Sequence, residues 1–282
     1  MINKIIILLL SISVASCSFI DGNDESPMYL SISDDVRLSV IADQGANTES
    51  IFAVSVYADG FNIGVYNLPA EVPVLSDNSD VNISISPVIF NNGQNDRPLE
   101  YPFYQSLDTT LNFVANTSVT IAPSFTYRSD SQFLYLEDFE DAHIIAQNVG
   151  GNENIAITRD GNARSGDFGG TITTDEDNPF FEKSTFTIFP VADVNNTFVF
   201  LELDYKNDIP LRVGILGITG NQGRRVYKIQ LKESDTYNKI YLDLTEEVLR
   251  NNFDGFQLLF SNISGDDDYG SISLDNIKLI SF

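Results

Sequence analysis

Residues 198–218, FVFLELDYKNDIPLRVGILGI, decide the fold class. They contain two apolar runs rich in β-branched and aromatic residues, at 198–205 and 211–218, which are separated by a short segment with Asn, Asp and Pro. Residues of the first kind favour strands, whereas Asn, Asp and Pro favour turns. The stretch therefore predicts two consecutive β-strands.

Similar runs recur along the chain, and Asp59-Gly60 supplies a hairpin turn between two of them. A single short helix is predicted, with Thr245 as N-cap and with Glu246 and Glu247 in its first turn. The pattern predicts an all-β fold of β-sandwiches. The predicted strands are 36–41, 51–57, 63–68, 81–85, 99–104, 111–114, 119–125, 133–139, 155–158, 169–173, 184–189, 198–205, 211–218, 226–231, 239–244, 256–260 and 271–280.

A polar segment, RSDSQ at 128–132, separates the strands of a first unit from those of a larger second unit. Domain boundaries fall in such exposed polar segments, so we place the two domains at 28–128 and 129–282. With 43% hydrophobic residues, the chain can build a core in each.

The charge balance is strongly acidic, with 40 Asp and Glu against 16 Lys and Arg and a formal net charge of -24. Nucleic-acid binding draws its affinity largely from basic residues, so this class of partner is excluded. The same charge opposes adhesion to anionic lipid head groups. Most of these carboxylates keep a β-rich protein soluble.

The N-terminus has the layout of a secretion signal: Lys4, an apolar run at 5–14 and the small residues of VASC at 14–17. The run is shorter than the roughly 20 residues that span a bilayer. VASC resembles the lipobox of bacterial lipoproteins, which implies removal of 1–16 and lipidation of Cys17, the only cysteine. Several acyl chains would give a durable membrane anchor. The alternative is a plain signal peptide with a chance cysteine.

Residues 17–27 are polar and acidic and are predicted to be a flexible tether. They look like the acidic export signal that follows the lipidated cysteine in surface lipoproteins of the Bacteroidota type. That resemblance implies an outer-membrane lipoprotein facing the cell exterior, although any acidic linker gives the same pattern.

In the first unit, YADG at 57–60, LPA at 68–70 and YPFY at 101–104 are similar to immunoglobulin-like or transthyretin-like surface domains of Bacteroidota lipoproteins. These motifs place Gly and Pro at turns and aromatic rings in a core. Tyr101 and Tyr104 are therefore expected to be buried. The alternative is that one of them stacks on a ligand.

In the second unit, LEDFE at 136–140, GNARSG at 161–166 and SLDNI at 273–277 look like a jelly-roll carbohydrate-binding module of the galactose-binding-like kind. The resemblance implies a structural calcium ion between the first and last strands, with Asp138, Glu140 and Asp275 as its carboxylate ligands.

The residues give some independent support for calcium. Asp275 shares strand phase with Ile277 and Leu279, which predicts a carboxylate in the interior, where it needs a partner. Asp138 and Glu140 are two apart and project from the same face, and calcium takes oxygen ligands of this kind. The alternatives are that Asp275 accepts hydrogen bonds from backbone N–H groups at a bulge, or that these strand ends are solvated.

Two further parts of the sequence bear on metal binding and catalysis. Asp266-Asp267-Asp268 is a conceivable calcium loop, but it lacks EF-hand spacing and a solvated turn is the alternative. The only histidine is His143, so no Ser–His–Asp set, Cys–His pair or histidine zinc cluster is recognisable. We therefore expect a protein that is not an enzyme. A glycoside hydrolase would need a deep cleft with two facing carboxylates.

Sugar recognition in the resembled family generally uses stacking aromatic rings, and this chain departs from it in having no Trp. Tyr227 follows the Gly- and Arg-containing loop at 217–225, and Arg225 can present several donors to hydroxyl groups. These two residues are the candidate ligand-binding pair. The alternatives are an ordinary connecting loop and a Tyr227 that packs in the core.

Together these observations predict a non-enzymatic surface lipoprotein whose second domain binds an extracellular glycan. The rival interpretation is a structural or adhesion subunit that docks onto other envelope proteins. An exposed aromatic cluster would favour the glycan, whereas a contiguous apolar patch or a bare edge strand would favour a protein partner.

Overall fold

The computed structural model describes residues 26–141, 145–194, 198–262 and 269–282. The predicted signal peptide, Cys17, most of the tether, His143 and Asp266-Asp267-Asp268 lie outside the described residues. Strands dominate this part of the chain and surround two hydrophobic cores. The predicted all-β fold with two β-sandwiches is confirmed. None of the described helices is long and apolar enough to span a membrane.

The first unit consists of short strands whose alternate residues are buried. In its first strand, for example, Met28, Leu30 and Ile32 are buried, whereas Tyr29 and Ser31 face outward. Its strands are β1 (Met28–Ile32), β2 (Arg37–Ser39), β3 (Ala53–Ala58), β4 (Phe61–Asn67), β5 (Ala70–Val74), β6 (Asp80–Phe90), β7 (Pro98–Glu100), β8 (Tyr104–Gln105), β9 (Leu107–Asn112), β10 (Ser118–Ile121) and β11 (Ser124–Tyr127).

These strands form three small sheets in the described chain, with the orders β10-β1-β5, β2-β11-β8 and β4-β3-β6-β7, and with β9 also paired to β6. The predicted hairpin turn between β3 and β4 is confirmed. Asp59 and Gly60 both have positive φ, at 48° and 84°, which is the backbone of a two-residue type I′ turn.

The second unit is a jelly roll of two packed sheets. Its elements are β12 (Gln132–Glu137), β13 (Ile145–Gly151), β14 (Thr158–Asp160), β15 (Gly169–Thr173), β16 (Phe181–Thr185), β17 (Phe189–Pro190), β18 (Val199–Asn207), β19 (Leu211–Thr219), β20 (Gln222–Leu231), β21 (Ser234–Asp243), helix α1 (Thr245–Leu249), β22 (Gly255–Ser261) and β23 (Ser271–Ser281).

One sheet, which we call the covered sheet, has the order β14-β15-β23-β18-β21, with β12 also on β23. The other, which we call the outer sheet, has the order β13-β16-β22-β19-β20, with β17 also on β22. Leu201 and Leu203 of β18 face the core between the two sheets.

Two local predictions were wrong. Thr245 is the first helical residue instead of the N-cap, because its hydroxyl accepts a hydrogen bond from the backbone N–H of Val199 at 3.0 Å. The predicted strand at 155–158 is mostly an irregular segment, since strand pairing starts only at Thr158. Its apolar residues Ile155 and Ile157 are nevertheless buried in the core of the second unit.

The first unit covers the opposite face of the covered sheet. Phe200, Tyr241 and Ile280 come from this sheet but pack in the hydrophobic core of the first unit. The two units therefore share a buried junction. Strand β11 ends at Tyr127 and β12 begins at Gln132. The predicted domain limits, 28–128 and 129–282, stay a prediction.

The tyrosines of the YPFY motif lie at this junction. Tyr101 and Tyr104 are only 2% and 4% exposed. Tyr101 donates a hydrogen bond to Glu202 of β18 at 2.9 Å, and the Tyr104 hydroxyl lies 3.2 Å from that of Tyr241. Their expected burial is confirmed, and the alternative of a ligand-stacking ring is wrong because no ligand can reach them.

Candidate functional site

The predicted ligand-binding residues lie on β20, at the edge of the outer sheet. Arg225 is paired with Leu216 of β19, and Tyr227 is paired with Gly214. On β19 the alternate residues Val213 and Ile215 point into the core. Arg225 and Tyr227 therefore point away from the core, on the outer face of the sheet.

Four side chains meet on this face, and we call Glu182, Arg212, Arg225 and Tyr227 the Tyr227 cluster. The Arg225 Nε atom lies 2.6 Å from Glu182 Oε2, and the Tyr227 hydroxyl donates to Glu182 Oε1. The Arg212 guanidinium stacks over the Tyr227 ring, 4.5 Å from its centroid. Such a contact is a cation–π interaction, which fixes the ring. The structure thus joins the two predicted residues through one carboxylate.

The face that carries the Tyr227 cluster is concave. Arg225 also donates a hydrogen bond to the backbone carbonyl of Val149 on β13, the opposite edge of the sheet. In a flat sheet, four strand spacings of about 4.8 Å would separate these strands by about 19 Å. An arginine side chain cannot span that distance. The outer sheet is therefore strongly curled, and its two edges approach each other over this face.

The floor of the concave face is closed. Ser184, Leu259 and Ser261 are fully buried beneath the Tyr227 cluster. Gly150 of β13 leaves room for the carboxylate, since a Cβ there would come within 2.4 Å of Glu182 Oε2. The polar side chains of the Tyr227 cluster thus lie on a base of buried residues.

The side chains of the Tyr227 cluster differ in their exposure to solvent. The Glu182 side chain is 6% exposed, whereas that of Arg225 is 44% exposed. Burial, together with the hydrogen bond to Glu182, raises the pKa of Tyr227, so its phenol stays a neutral donor. Tyr227 belongs to neither hydrophobic core. The alternative in which it packs in the core is therefore wrong.

Sequence reasoning found Arg225 and Tyr227 but missed Glu182 and Arg212. Glu182 precedes the strand predicted at 184–189, and Arg212 lay inside a predicted strand as a single charged residue. A charged residue on the outward phase of an otherwise apolar strand is the signal that would have identified Arg212. Glu182 carried no comparable signal.

The three predicted calcium ligands lie near one another but are engaged with the backbone. Asp138 Oδ1 accepts from the N–H of Glu140 at 3.1 Å. Glu140 Oε1 accepts from the N–H groups of Asp167 and Phe168 at 2.8 and 3.0 Å. Asp138 and Glu140 line a shared cavity of about 330 Å³.

Asp275 is buried, but its strand phase was predicted wrongly. Leu274 and Ile277 both belong to the core between the sheets, although they are three residues apart. Asn276 has a positive φ of 48°, and the pairing with β18 shifts here, so a β-bulge changes the phase. Asp275 therefore faces away from that core.

The bulge gives Asp275 backbone partners. Its Oδ2 accepts from the N–H groups of Arg164 and Ser165 at 2.7 and 3.1 Å, and its Oδ1 from the N–H of Asn276 at 2.8 Å. No group of three or more acidic, His or Cys side chains among the described residues is arranged to hold a metal. The arrangement favours the hydrogen-bond alternative, and calcium stays a prediction.

Comparisons with known proteins give no sequence family. No family model matches the chain, and no curated protein matches it. Among solved structures, the chain is similar to a family 30 carbohydrate-binding module of a cellulosomal cellulase of Clostridium thermocellum, at 12% identity and a TM-score of 0.40 over 52% of this chain and 98% of that chain.

Two further structures are similar to the chain. One is a family 11 carbohydrate-binding module from Clostridium thermocellum in complex with a β-1,3-1,4-mixed-linked tetrasaccharide, at 14% identity and a TM-score of 0.37 over 54% of this chain and 95% of that chain. The other is the enzymatically active domain of tailspike protein 4 of bacteriophage CBA120, at 11% identity and a TM-score of 0.39 over 50% of this chain and 20% of that chain. We draw no functional argument from similarities of this size.

Proposed function

We propose that the protein is a lipid-anchored, surface-exposed lipoprotein that binds an extracellular glycan, without converting it, on the concave face of its outer sheet. The observation that carries the proposal is the convergence of Tyr227, Arg225 and Glu182 on that face. An aromatic ring, a guanidinium and a carboxylate supply the apolar surface, the donors and the acceptors that a sugar ring with several hydroxyl groups requires.

The geometry of the cluster suits such a ligand. The Arg225 guanidinium is fixed by Glu182 and by the Val149 carbonyl, and its partial exposure leaves further N–H donors for hydroxyl oxygens. Because these contacts exist without a ligand, little side-chain entropy would be lost on binding. A sugar would meet donors that are already in place.

The anchor and the location are supported by the sequence. The VASC motif and the preceding apolar run support lipidation of Cys17, and the acidic tether supports an outward-facing outer-membrane position. A binding protein on a lipid anchor needs no catalytic group of its own.

The test is a glycan-array screen of the full chain in detergent micelles, followed by affinity measurements on variants for each glycan that binds. Losing a stacked ring or a hydroxyl partner removes a kcal/mol or more of binding energy. We expect Tyr227→Ala and Arg225→Ala each to weaken binding about fivefold or more. Tyr29→Ala is the matched control, because Tyr29 is a 40% exposed tyrosine on β1 of the first unit.

Melting temperatures measured on the same variants separate lost binding from lost stability. Full affinity in both cluster variants would remove the Tyr227 cluster as the binding site. A wild-type chain that binds no glycan on the array would overturn the proposal in favour of protein docking.

One observation favours docking to envelope proteins as a second candidate function. Strand β4 pairs only with β3 among the described strands, so its other edge is bare. Phe61 and Val65 on this strand are 76% and 54% exposed. Bare apolar edges pair readily with a strand of another protein. A photo-crosslinking residue at position 61 in intact cells should then capture a specific envelope protein, and one at the exposed Asp108 should not.

A further inference from the structure

A groove of about 660 Å³ lies where the first unit meets the loop that precedes β15. One wall is formed by β2 and its neighbours, including Arg37 and Ser39. The segment with Asn47 and Glu49 continues that wall, and Arg164 and Ser165 form the opposite one. The volume falls within the range of about 300 to 1,000 Å³ that small-molecule sites occupy, and such sites favour domain interfaces. The groove has room for one or two sugar rings.

Both walls are anchored to the covered sheet. The backbone N–H groups of Arg164 and Ser165 bind the buried carboxylate of Asp275. On the other side, the hydroxyl of Thr48 donates to Asp204 Oδ2 at 2.6 Å. Asp204 and Asp275 are neighbours on β18 and β23, so the two walls stand on adjacent strands. The width of the groove is thereby set by the sheet.

Two opposite charges face each other across the groove without pairing. Glu49 Oε2 accepts from the N–H of Ile51 at 2.6 Å, which fixes the carboxylate on its own wall. Burial raises the pKa of Glu49, and the nearby charges of Lys239 and Arg164 oppose that effect. Within the residues that the structure describes, neither Glu49 nor the Arg164 guanidinium has an ion-pair partner within 4.0 Å.

This arrangement suits a ligand that carries an anion and hydroxyl groups together. A carboxylate can form a bidentate, charge-assisted pair with a free guanidinium. A ligand hydroxyl can donate to Glu49, and Ser39, Asn47 and Ser165 add uncharged polar groups to the walls. The Arg164 guanidinium supplies an unpaired positive charge to the groove, whereas Arg37 is paired with Asp35 at 2.9 Å. In a chain with a net charge of -24, this unpaired charge lowers the repulsion that an anion meets here.

We propose that the groove binds a hydroxylated carboxylate, the chemistry of a uronic acid unit in an acidic polysaccharide, with its carboxylate on Arg164 and a hydroxyl on Glu49. This site is separate from the Tyr227 cluster and does not depend on it.

The probes are D-galacturonate and D-glucuronate, titrated into the full chain in detergent micelles and followed by calorimetry and ligand-observed NMR. D-galactose and D-glucose are the matched neutral probes, and acetate is the carboxylate without hydroxyl groups. We expect at least one uronate to bind at least tenfold more tightly than its neutral counterpart and than acetate.

The variant Arg164→Gln should weaken uronate binding at least tenfold and leave the melting temperature unchanged, because its guanidinium makes no hydrogen bond within the described chain. Arg97→Gln is the control, since Arg97 is an exposed arginine in the turn between β6 and β7, and it should bind as the wild type does. Tyr227→Ala should also keep uronate binding.

Three results would overturn the proposal. The first is a wild-type chain that binds neither uronate, and the second is equal affinity for a uronate and either its neutral counterpart or acetate. The third is unchanged uronate binding in Arg164→Gln. If Tyr227→Ala alone abolished binding, the uronate would lie on the Tyr227 cluster, and the groove would be excluded while the proposed glycan-binding function stands.

Discussion

The carboxylate of Glu202 lies 2.9 Å from the Nζ atom of Lys239, and the two side chains are 0% and 1% exposed. Both stand on the face of the covered sheet that the first unit covers. Burial by itself would raise the pKa of Glu202, but the charges of Lys239 and Lys278 outweigh it and lower that pKa. Tyr101 and Tyr127 donate further hydrogen bonds to the carboxylate, each at 2.9 Å. The junction between the two units is therefore built around a buried ion pair.

Removing the negative charge of this pair should be costly. Glu202→Gln removes the ion-pair partner of the buried Lys239 ammonium, and breaking a buried pair in this way lowers the free energy of unfolding by about 3–5 kcal/mol. Urea denaturation followed by circular dichroism measures the change. Glu246→Gln is the control, since Glu246 forms an exposed pair with Arg250 and its loss should have little effect. Equal midpoints for the two variants would contradict the prediction.

The stability of the protein should depend on the ionisation of Asp275. Burial raises its pKa to about 6, whereas an unfolded aspartate titrates near about 3.9. Between these values the folded state holds a proton that the unfolded state has released, so this contribution is present at low pH and is lost as the pH rises through about 6. Relative to Asp275→Asn, the wild type should lose stability as the pH rises from about 4 to about 6. Urea denaturation of both proteins checks this, and a pH-independent difference would refute it.

Chelation should distinguish calcium from hydrogen bonding at the same residue. Because both oxygens of Asp275 and one of Glu140 already accept backbone N–H groups, we expect a chelator to leave the melting temperature of the wild type unchanged. Asp275→Asn should lower that temperature equally with and without chelator. A bound ion would instead add about 2.7 kcal/mol at a hundredfold excess over its Kd. A chelator-sensitive wild type with an insensitive variant would establish the calcium site.

Membrane attachment should depend on one sulfur atom. Cys17→Ala removes the sulfur atom that the proposed lipid anchor requires, so the protein should move from the membrane to the soluble fraction. Ser18→Ala changes the neighbouring residue, keeps the cysteine and should remain in the membrane. Cell fractionation with a carbonate wash checks both variants. If Cys17→Ala stayed with the membrane after the wash, the lipid anchor would be ruled out.

The sequence predicted the strands well where one face is apolar and the other polar. It did not predict that the second face of β18 would also be buried. Glu202 and Asp204 alternate with Leu201 and Leu203, as solvent-facing residues would. Glu202 is bound by Tyr101 and Lys239, and Asp204 is bound by Thr48. These partners lie far away in the chain, so no local pattern could reveal the pairing.

The candidate site was predicted in part for a similar reason. The predicted loop at 217–225 is a tight turn, since β19 ends at Thr219 and β20 begins at Gln222, so Arg225 and Tyr227 both lie on β20. Glu182 joins them only because the outer sheet curls. Curvature is a property of the whole sheet, so the sequence of a single strand contains no pattern that predicts it. At Asp275 the strand period failed, because a bulge at Asn276 adds one residue and reverses every phase beyond it.

The buried ion pair at the junction also has a mechanical consequence. Bending the two units apart by even one layer of water would break the contacts of Glu202 with Lys239, Tyr101 and Tyr127 together. Because these contacts would break together, the junction would resist small forces and then open in one step, whereas a flexible hinge would open gradually. The two units would then move together as one body, and the groove between them would keep its width.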